Sequence, residues 1–395
     1  MLTRSTKHGE PGVASHEGAR LNVLVISHLY PPDARSSAGS FVRDQVEALS
    51  SHAEVTVIAG RFGGLAVGGG TRSGSPGPTV VELKLPWPRW LPSAARVAWL
   101  LPSYYRQALR VARSSPEGYD VVHAHFGLPD GVVGVKLGGA LSVPVVVTLH
   151  GSDFSHQIAR PVIGRVVGRY LAKADRIIGV SAQIADGMRD MFGLSEAQVL
   201  HMPNGYNDAH ITVSERRSPK HFLFVGLLIP RKNPDVLLEA YALVADQTTM
   251  DLVIVGDGPM MSELKAHADR LGIASRVTFT GELEHAAVDG YLAEAAALVL
   301  PSSREGMPII INEALASGTP VIATKLPGIE QQVSDGRFGL LVPVGDAAAL
   351  GAAMVEVAQG SWDYGQVARE SGVVSWAEYA DRLIDIYRSL ANKPC

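Results

Sequence analysis

The stretch from Ala295 to Thr324 reads as strand, tight loop, helix and strand, and a unit of that kind commits the chain to an α/β sheet with parallel neighbours. The apolar run AAALVLPSS supplies the first strand. Pro308 has the φ suited to the first turn of a helix, the pattern extends that helix to Ala316, and Gly318 is placed to end it before PVIAT starts the next strand. Glu305 then falls on the loop at the carboxyl end of a strand, the edge at which open α/β sheets bind ligands, and Glu313 falls on the helix that follows. The helix N-terminus directs free N–H groups and partial positive charge into the same space. A sugar carried on a diphosphate, an anion flanked by hydroxyl groups, matches that combination.

The same alternation occurs twice along the chain. LNVLVIS (21–27), EVTVIAG (54–60), VVELKLP, DVVHAHF (120–126), PVVVTLHG (144–151) and RIIGVS (176–181) are apolar, β-branched runs of buried parallel strands, separated by helical segments. Residues 63–78, rich in Gly, Ser and Pro, read as a flexible loop. PNGYNDAHITVSERRSPK (203–220) is polar and turn-rich and reads as a linker. The pattern then restarts with HFLFVG (221–226), DLVIVGDG (251–258), RVTFTG (276–281), ALVLPS (297–302), PVIAT (320–324) and GLLVP (339–343). The expectation is two Rossmann-like, doubly wound domains facing a cleft: residues 21–204 and 205–375, with a closing amphipathic helix at 376–392 striped by Tyr379, Leu383, Ile386 and Leu390.

With 395 residues, 46% of them hydrophobic and 19% charged, the chain has material for two sizeable cores. A net charge of −4 gives no general basic character to recruit nucleic acid. The one cysteine, Cys395, excludes a disulfide framework within the chain and fits a reducing cytoplasm. Residues 1–20 are polar, lack the apolar segment of a signal peptide and read as a disordered tail. No stretch reaches the ~20 apolar residues of a bilayer span. The segment 87–113 is rich in tryptophan, carries five arginines and is cut by Pro92 and Pro102, which leaves room for peripheral contact with the inner membrane face.

Several ordered motifs, PP-x-x-x-x-x-AGSF, DVVHAH, TLHGSD, VSAQIAD, PNGYN, FVGLLIPRKN, VGDGP and EGMPIIINEALASGTPVIAT, together resemble the GT4-type retaining glycosyltransferases of GT-B fold that carry an E-x7-E motif. The likeness runs from about residue 21 to residue 390. It implies a nucleotide-sugar donor, UDP- or GDP-linked, held mostly by the C-terminal half, and a hydroxyl acceptor, lipid-linked glycan or small molecule, held by the N-terminal half. It also implies transfer with retention and no metal or other cofactor. By the same resemblance Glu313 holds the ribose hydroxyls, Glu305 lies beside the donor sugar, Lys232 grips the diphosphate, and His150 contacts the donor sugar or the nearby acceptor. Gly306 and Met307 belong to the same donor motif.

The residue chemistry agrees with these roles. A carboxylate accepts two hydrogen bonds from adjacent ribose hydroxyls, and a fixed cation is worth most where the leaving diphosphate gains charge. Gly39, in the loop after the first strand, lets backbone approach a phosphate closely. Two positions depart from the family pattern. Leu227 stands where an arginine commonly follows the glycine of FVG, so that Arg231 either compensates or is a solvated loop residue. Gln331 stands where a glutamate is usual, with Glu330 one place early. His123 and His125 share one face of a strand without further ligands at metal-binding spacing, and read as packing or acceptor-cleft residues. Asp153 is a further acceptor-side candidate. VGDGP fails as a dinucleotide fingerprint because Met261 occupies the third glycine position. The competing readings are another GT-B enzyme, such as a nucleotide-sugar epimerase or a phosphorylase, and a non-catalytic nucleotide-sugar binder.

Overall fold

A computed structural model describes residues 20–33, 39–62, 71–73, 77–88, 90, 93–151, 153–154, 158, 161–209, 211, 213, 219–333 and 336–392. The expected tail lies almost wholly outside the described residues, as does Cys395.

The first half contains β1 (Leu21–Ile26), α1 (Ser40–Leu49), β2 (Ala53–Phe62), β3 (Thr71–Ser73), β4 (Thr79–Leu85), α2 (Ser93–Arg113) and β5 (Val121–His125). It continues through α3 (Val132–Leu141), β6 (Val145–Leu149), α4 (Pro161–Leu171), β7 (Arg176–Gly179), α5 (Ala182–Phe192) and β8 (Val199–His201). Its eight strands lie in the order β3-β4-β2-β1-β5-β6-β7-β8. All pairs are parallel except β3 with β4, which is antiparallel. β3 falls inside the 63–78 stretch expected to be a loop.

The second half contains β9 (His221–Val225), α6 (Pro234–Val244), β10 (Asp251–Val255), α7 (Met261–Arg270), β11 (Val277–Gly281), α8 (His285–Glu294) and β12 (Ala295–Leu300). After these come α9 (Ile309–Ala316), β13 (Val321–Thr324), α10 (Pro327–Gln332), β14 (Gly339–Val342), α11 (Ala347–Gln359), α12 (Tyr364–Glu370) and α13 (Trp376–Ala391). Its six parallel strands run β11-β10-β9-β12-β13-β14, which in local numbering is the doubly wound order 3-2-1-4-5-6. The strand order reverses between β9 and β12 in this sheet and between β1 and β5 in the first. Each reversal leaves a crevice at the carboxyl ends of two adjacent strands, because the crossovers leave it on opposite sides.

The continuous apolar runs explain the burial. Leu298, Val299 and Leu300 of β12 and Val23 to Ile26 of β1 are wholly inaccessible, as strands covered by helices on both faces must be. Helix α2 continues through Pro102 instead of stopping there. The proline removes one backbone donor, but the face carrying Leu100, Tyr104 and Ala108 is fully buried, and that packing outweighs the lost bond.

α13 begins at a capping box formed by Ser375 and Glu378. Its residues Tyr379, Leu383, Tyr387 and Leu390 join the core formed by β1, β2 and α1, so the last helix of the chain packs on the first domain. Tyr387, absent from the expected stripe, is fully buried, whereas Ile386 is only partly covered.

Candidate active site

The C-terminal crevice is built from the two strands that flank its reversal. After β9 the chain makes a short turn, Pro230–Lys232, which brings Lys232 over the end of the sheet. After β12 the loop carries Ser302 and Glu305 to meet it. Lys232 Nζ donates to Glu305 Oε1 at 2.5 Å, and Ser302 Oγ donates to the same oxygen at 2.7 Å. Arg231 Nη1 lies 3.8 Å from Glu305 Oε2. The lysine and glutamate side chains are 12% and 8% exposed, so this ion pair is partly desolvated and stronger than a surface pair.

α9 starts one residue later than the sequence pattern placed it, with Pro308 as the N-cap residue and Ile309 as the first helical one. Glu313, on the buried side of α9, faces a cleft of about 400 Å³ between the two domains. Lys232, Arg231, Glu305, Met307, Glu313 and His150 all line it. Burial, reinforced by the negative charges of Asp289 and Asp44, pushes the Glu313 carboxyl up to about 8. His285 Nδ1 lies 4.0 Å from Glu313 Oε1. Burial also raises the pKa of Asp44, against the opposing pull of Arg43 and His285.

Leu227, where an arginine was expected by resemblance, lines the cleft, and so does Arg231. Gly256 and Asp257 of VGDGP form part of the same wall.

His150 enters the cleft from the N-terminal side. Its Nε2 lies 3.1 Å from His125 Nδ1, and its ring packs between Phe41 and Phe126, each with centroids 4.7 Å away. Burial, with the charge of His125 second, holds its pKa well below the ordinary histidine value. His150 is therefore a neutral imidazole. Its Nδ1 is buried and has no hydrogen-bond partner among the described residues.

Other residues singled out in the sequence fall elsewhere. Gly39 precedes the lining residues Ser40, Phe41 and Asp44 and is itself outside the lining. It is required by the turn: its φ is +80°, and an added Cβ would lie 1.7 Å from the Leu29 carbonyl oxygen. Gly306, between the lining residues Glu305 and Met307, sits against the other domain, where a Cβ would come within 2.6 Å of the His150 carbonyl oxygen. Gln331 faces the N-terminal domain, its Oε1 accepting from Ala182 N–H at 2.9 Å, and Glu330 pairs with Lys325 at 3.7 Å. Neither lines the cleft. Asp153 is 2% exposed, and its carboxylate accepts from the backbone N–H groups of Gly127, His150, Gly151 and Phe154. That makes it an anchor for the His150 loop. His123 is fully buried between Tyr387 OH (2.6 Å) and Thr148 Oγ1 (2.8 Å), and His125 is equally buried beneath His150.

Asp44, His285 and Asn204 line the cleft and were missed in the sequence: Asp44 and His285 come from helices that carry no chemical motif of their own, and Asn204, although inside PNGYN, stands in a segment read as a linker. Among the described residues, no cluster of His, Cys, Asp and Glu is arranged to hold a metal ion, and no helix is long and apolar enough to cross a membrane.

Comparison with known proteins places this geometry. Residues 38–210 match the model described as Glycosyltransferase Family 4, and residues 219–359 match that of Glycosyl transferases group 1. The chain is 30% identical over 312 residues to the D-inositol 3-phosphate glycosyltransferase of Geodermatophilus obscurus, covering 71% of this chain and 69% of that one. It is also 30% identical over 247 residues to an uncharacterized glycosyltransferase of Methanocaldococcus jannaschii, covering 60% and 66% respectively. The matches thus span about two thirds of these relatives. Among solved structures, sucrose-phosphate synthase from Thermosynechococcus elongatus superposes with a TM-score of 0.74 at 23% identity, covering 94% of this chain and 99% of that one. Anabaena HepE, solved in complex with UDP and glucose, superposes at 0.67 with 18% identity, covering 94% and 100%. These likenesses show the fold, which is the GT-B architecture.

Proposed function

The chain belongs to the family 4, group 1 glycosyltransferases, and on that premise we propose that it transfers a sugar from a nucleoside diphosphate sugar to an acceptor hydroxyl with retention of configuration. The observation that carries this reading is the convergence of Lys232, Glu305 and Glu313 on one interdomain cleft, beside the N-terminus of α9.

Glu313 takes the ribose hydroxyls. Because its carboxyl is pushed up to about 8, binding of a nucleotide that needs the ionised form draws off a proton at neutral pH. Lys232 holds the diphosphate. Its three N–H donors allow it to keep Glu305 in place with one and meet phosphate oxygens with the others. As the sugar–phosphate bond breaks, the positive charge stabilises the departing diphosphate more than the bound donor, which is the condition for raising turnover. Arg231, half exposed on the rim, supplies the second cation that Leu227 does not.

Glu305, fixed by Lys232 and Ser302, lies beside the donor sugar and opposes the positive charge developing on its ring. His150, kept neutral, donates or accepts a hydrogen bond at a sugar hydroxyl. The departing phosphate oxygen takes the acceptor proton on the same face of the sugar, which yields retention. The base, UDP or GDP, and a soluble or lipid-linked acceptor belong to this proposal too. The HepE complex shows UDP and glucose in a protein of this fold, and the Geodermatophilus relative is named for a phosphorylated cyclitol acceptor.

The test is incubation with UDP- and GDP-sugars, followed by NMR of the product. An α-configured donor should give an α-linked product. A β-linked product would refute retention, and epimerised donor formed without acceptor would refute transfer.

A further inference from the structure

The N-terminal sheet has its own reversal point, and a second acid–base pair spans it. His28 follows β1, and Asp130 lies in the turn after β5. His28 Nδ1 is hydrogen-bonded to Asp130 Oδ2, and Tyr104 OH donates to Asp130 Oδ1 at 2.8 Å. Asp130 is wholly inaccessible, while the His28 side chain is 20% exposed. With Nδ1 committed to the carboxylate, Nε2 is left with no hydrogen-bond partner among the described residues.

This imidazole is the centre of a row of rings along the carboxyl edge of the sheet. Trp87 follows β4, Phe62 ends β2, His28 follows β1, Phe126 follows β5 and His150 follows β6, in the spatial order of the strands. Successive centroids lie 5.4, 5.4, 5.3 and 4.7 Å apart. The row therefore runs from the donor cleft at His150 out over the N-terminal domain. Phe126, between the two histidines, is held at φ 73°, a conformation a bulky residue rarely adopts. Hydrogen bonds from its N–H to Thr148 and from Gly131 to its carbonyl fix it there.

We propose that His28, seated on the buried Asp130–Tyr104 pair, is an acceptor-binding residue and that it recognises a phosphoryl group on the acceptor through Nε2–H. This inference rests on the transferase reading and adds the acceptor's chemical class to it. A carboxylate removed from water needs a compensating charge, and the imidazolium of His28 supplies it. An imidazolium so placed offers one outward donor, and a charge-assisted bond to an anionic oxygen is about twice as strong as one to a neutral hydroxyl.

The charged and titratable groups around the ring support the protonated form on balance. Burial disfavours the charge, but Asp130, by charge and hydrogen bond, and Asp153 outweigh it, and the pKa of His28 lies above the ordinary histidine value. Tyr104 donates to Asp130, and the charge of Arg61 acts on Tyr104. Arg61 is paired with Glu82 and also donates to the Tyr30 carbonyl.

The experiment is two-dimensional ¹H–¹⁵N NMR of the histidine rings in the full chain, first saturated with whichever of UDP or GDP it binds. Glucose 6-phosphate, glucose and inorganic phosphate are then added in turn. The expected result is a shift of the His28 Nε2 resonance with the two phosphates and none with glucose. The response should fade as pH rises through the His28 titration, because the imidazolium is lost. In His28→Phe, which keeps the ring volume, phosphate protection of the acceptor side should disappear while nucleotide affinity stays within about twofold of wild type. Equal responses to glucose and glucose 6-phosphate would overturn recognition of phosphate. No response to any of the three would overturn the site. Loss of nucleotide binding in His28→Phe would assign His28 to the donor side and overturn the proposal, whereas loss in Glu313→Ala bears only on the donor reading. Phosphatidylglycerol vesicles give the final arm. Binding to them that His28→Phe abolishes supports the proposal with a lipid phosphate as the source, and a response confined to soluble phosphates supports it with a soluble acceptor.

Discussion

The two halves of the molecule place a cation against a carboxylate at the same topological position, and the two pairs differ in kind. In the second half Lys232 meets Glu305 across β9 and β12; in the first, His28 meets Asp130 across β1 and β5. Lysine is a permanent cation at neutral pH, suited to a diphosphate that is always charged. Histidine titrates near neutrality, and its partner is buried more deeply than Glu305. One crevice thus has a fixed charge and the other an adjustable one, which fits a division between a donor that does not vary in charge and an acceptor site that responds to pH.

The largest expected effect lies on the fixed pair. Lys232→Met should lower turnover on the order of 10²–10³-fold, as loss of one preorganised charge contact does. Steady-state release of nucleoside diphosphate measures it, and a loss under threefold would remove Lys232 from the reaction. Next is Glu313→Ala, expected to weaken nucleotide binding by roughly 10- to 100-fold, the cost of hydrogen bonds to a charged group. Calorimetric titration checks this. The same method in buffers of different ionisation enthalpy should show wild type releasing a proton on binding near pH 7 and Glu313→Gln releasing none.

A third prediction concerns stability and follows from the sign of the Glu313 shift. Its carboxyl titrates at about 8 in the folded chain against an ordinary 4.5, so the folded state holds a proton that the unfolded chain has already lost. Wild type therefore loses stability as pH climbs from 4.5 towards 8, at most by about 1.4 kcal/mol per pH unit from this group. Glu313→Gln escapes that loss. Denaturant melts should show the variant gaining on wild type across this window, and parallel curves would contradict the shift. The smallest effect is at Gly39→Ala, where a positive φ and the Leu29 carbonyl oppose a side chain. We expect a loss of about 1–3 kcal/mol with nucleotide affinity unchanged.

Much of this architecture was legible in the residues, for physical reasons. Strands buried on both faces leave uninterrupted apolar runs, so β1, β6, β9 and β12 were readable at once. Glu305, Glu313 and Lys232 were found because they sit inside motifs tied to a strand end. The contact between Lys232 and Glu305 was not visible, since it spans 73 residues of sequence. The anchoring role of Asp153 was not visible, because a carboxylate that serves four backbone N–H groups looks, in sequence, like one that serves a ligand. The His28–Asp130 pair left no trace either. It is 102 residues apart in sequence and depends on strand order, which periodicity does not fix. β3 and the passage of α2 through Pro102 are cases in which tertiary packing overrides local composition.

The most direct test measures thermal stabilisation by UDP and GDP in wild type, Lys232→Met and His28→Phe side by side. A division of labour between the two crevices predicts that the nucleotide raising the melting temperature of wild type does so equally in His28→Phe and far less in Lys232→Met. Equal loss in both variants, or none in Lys232→Met, would contradict it.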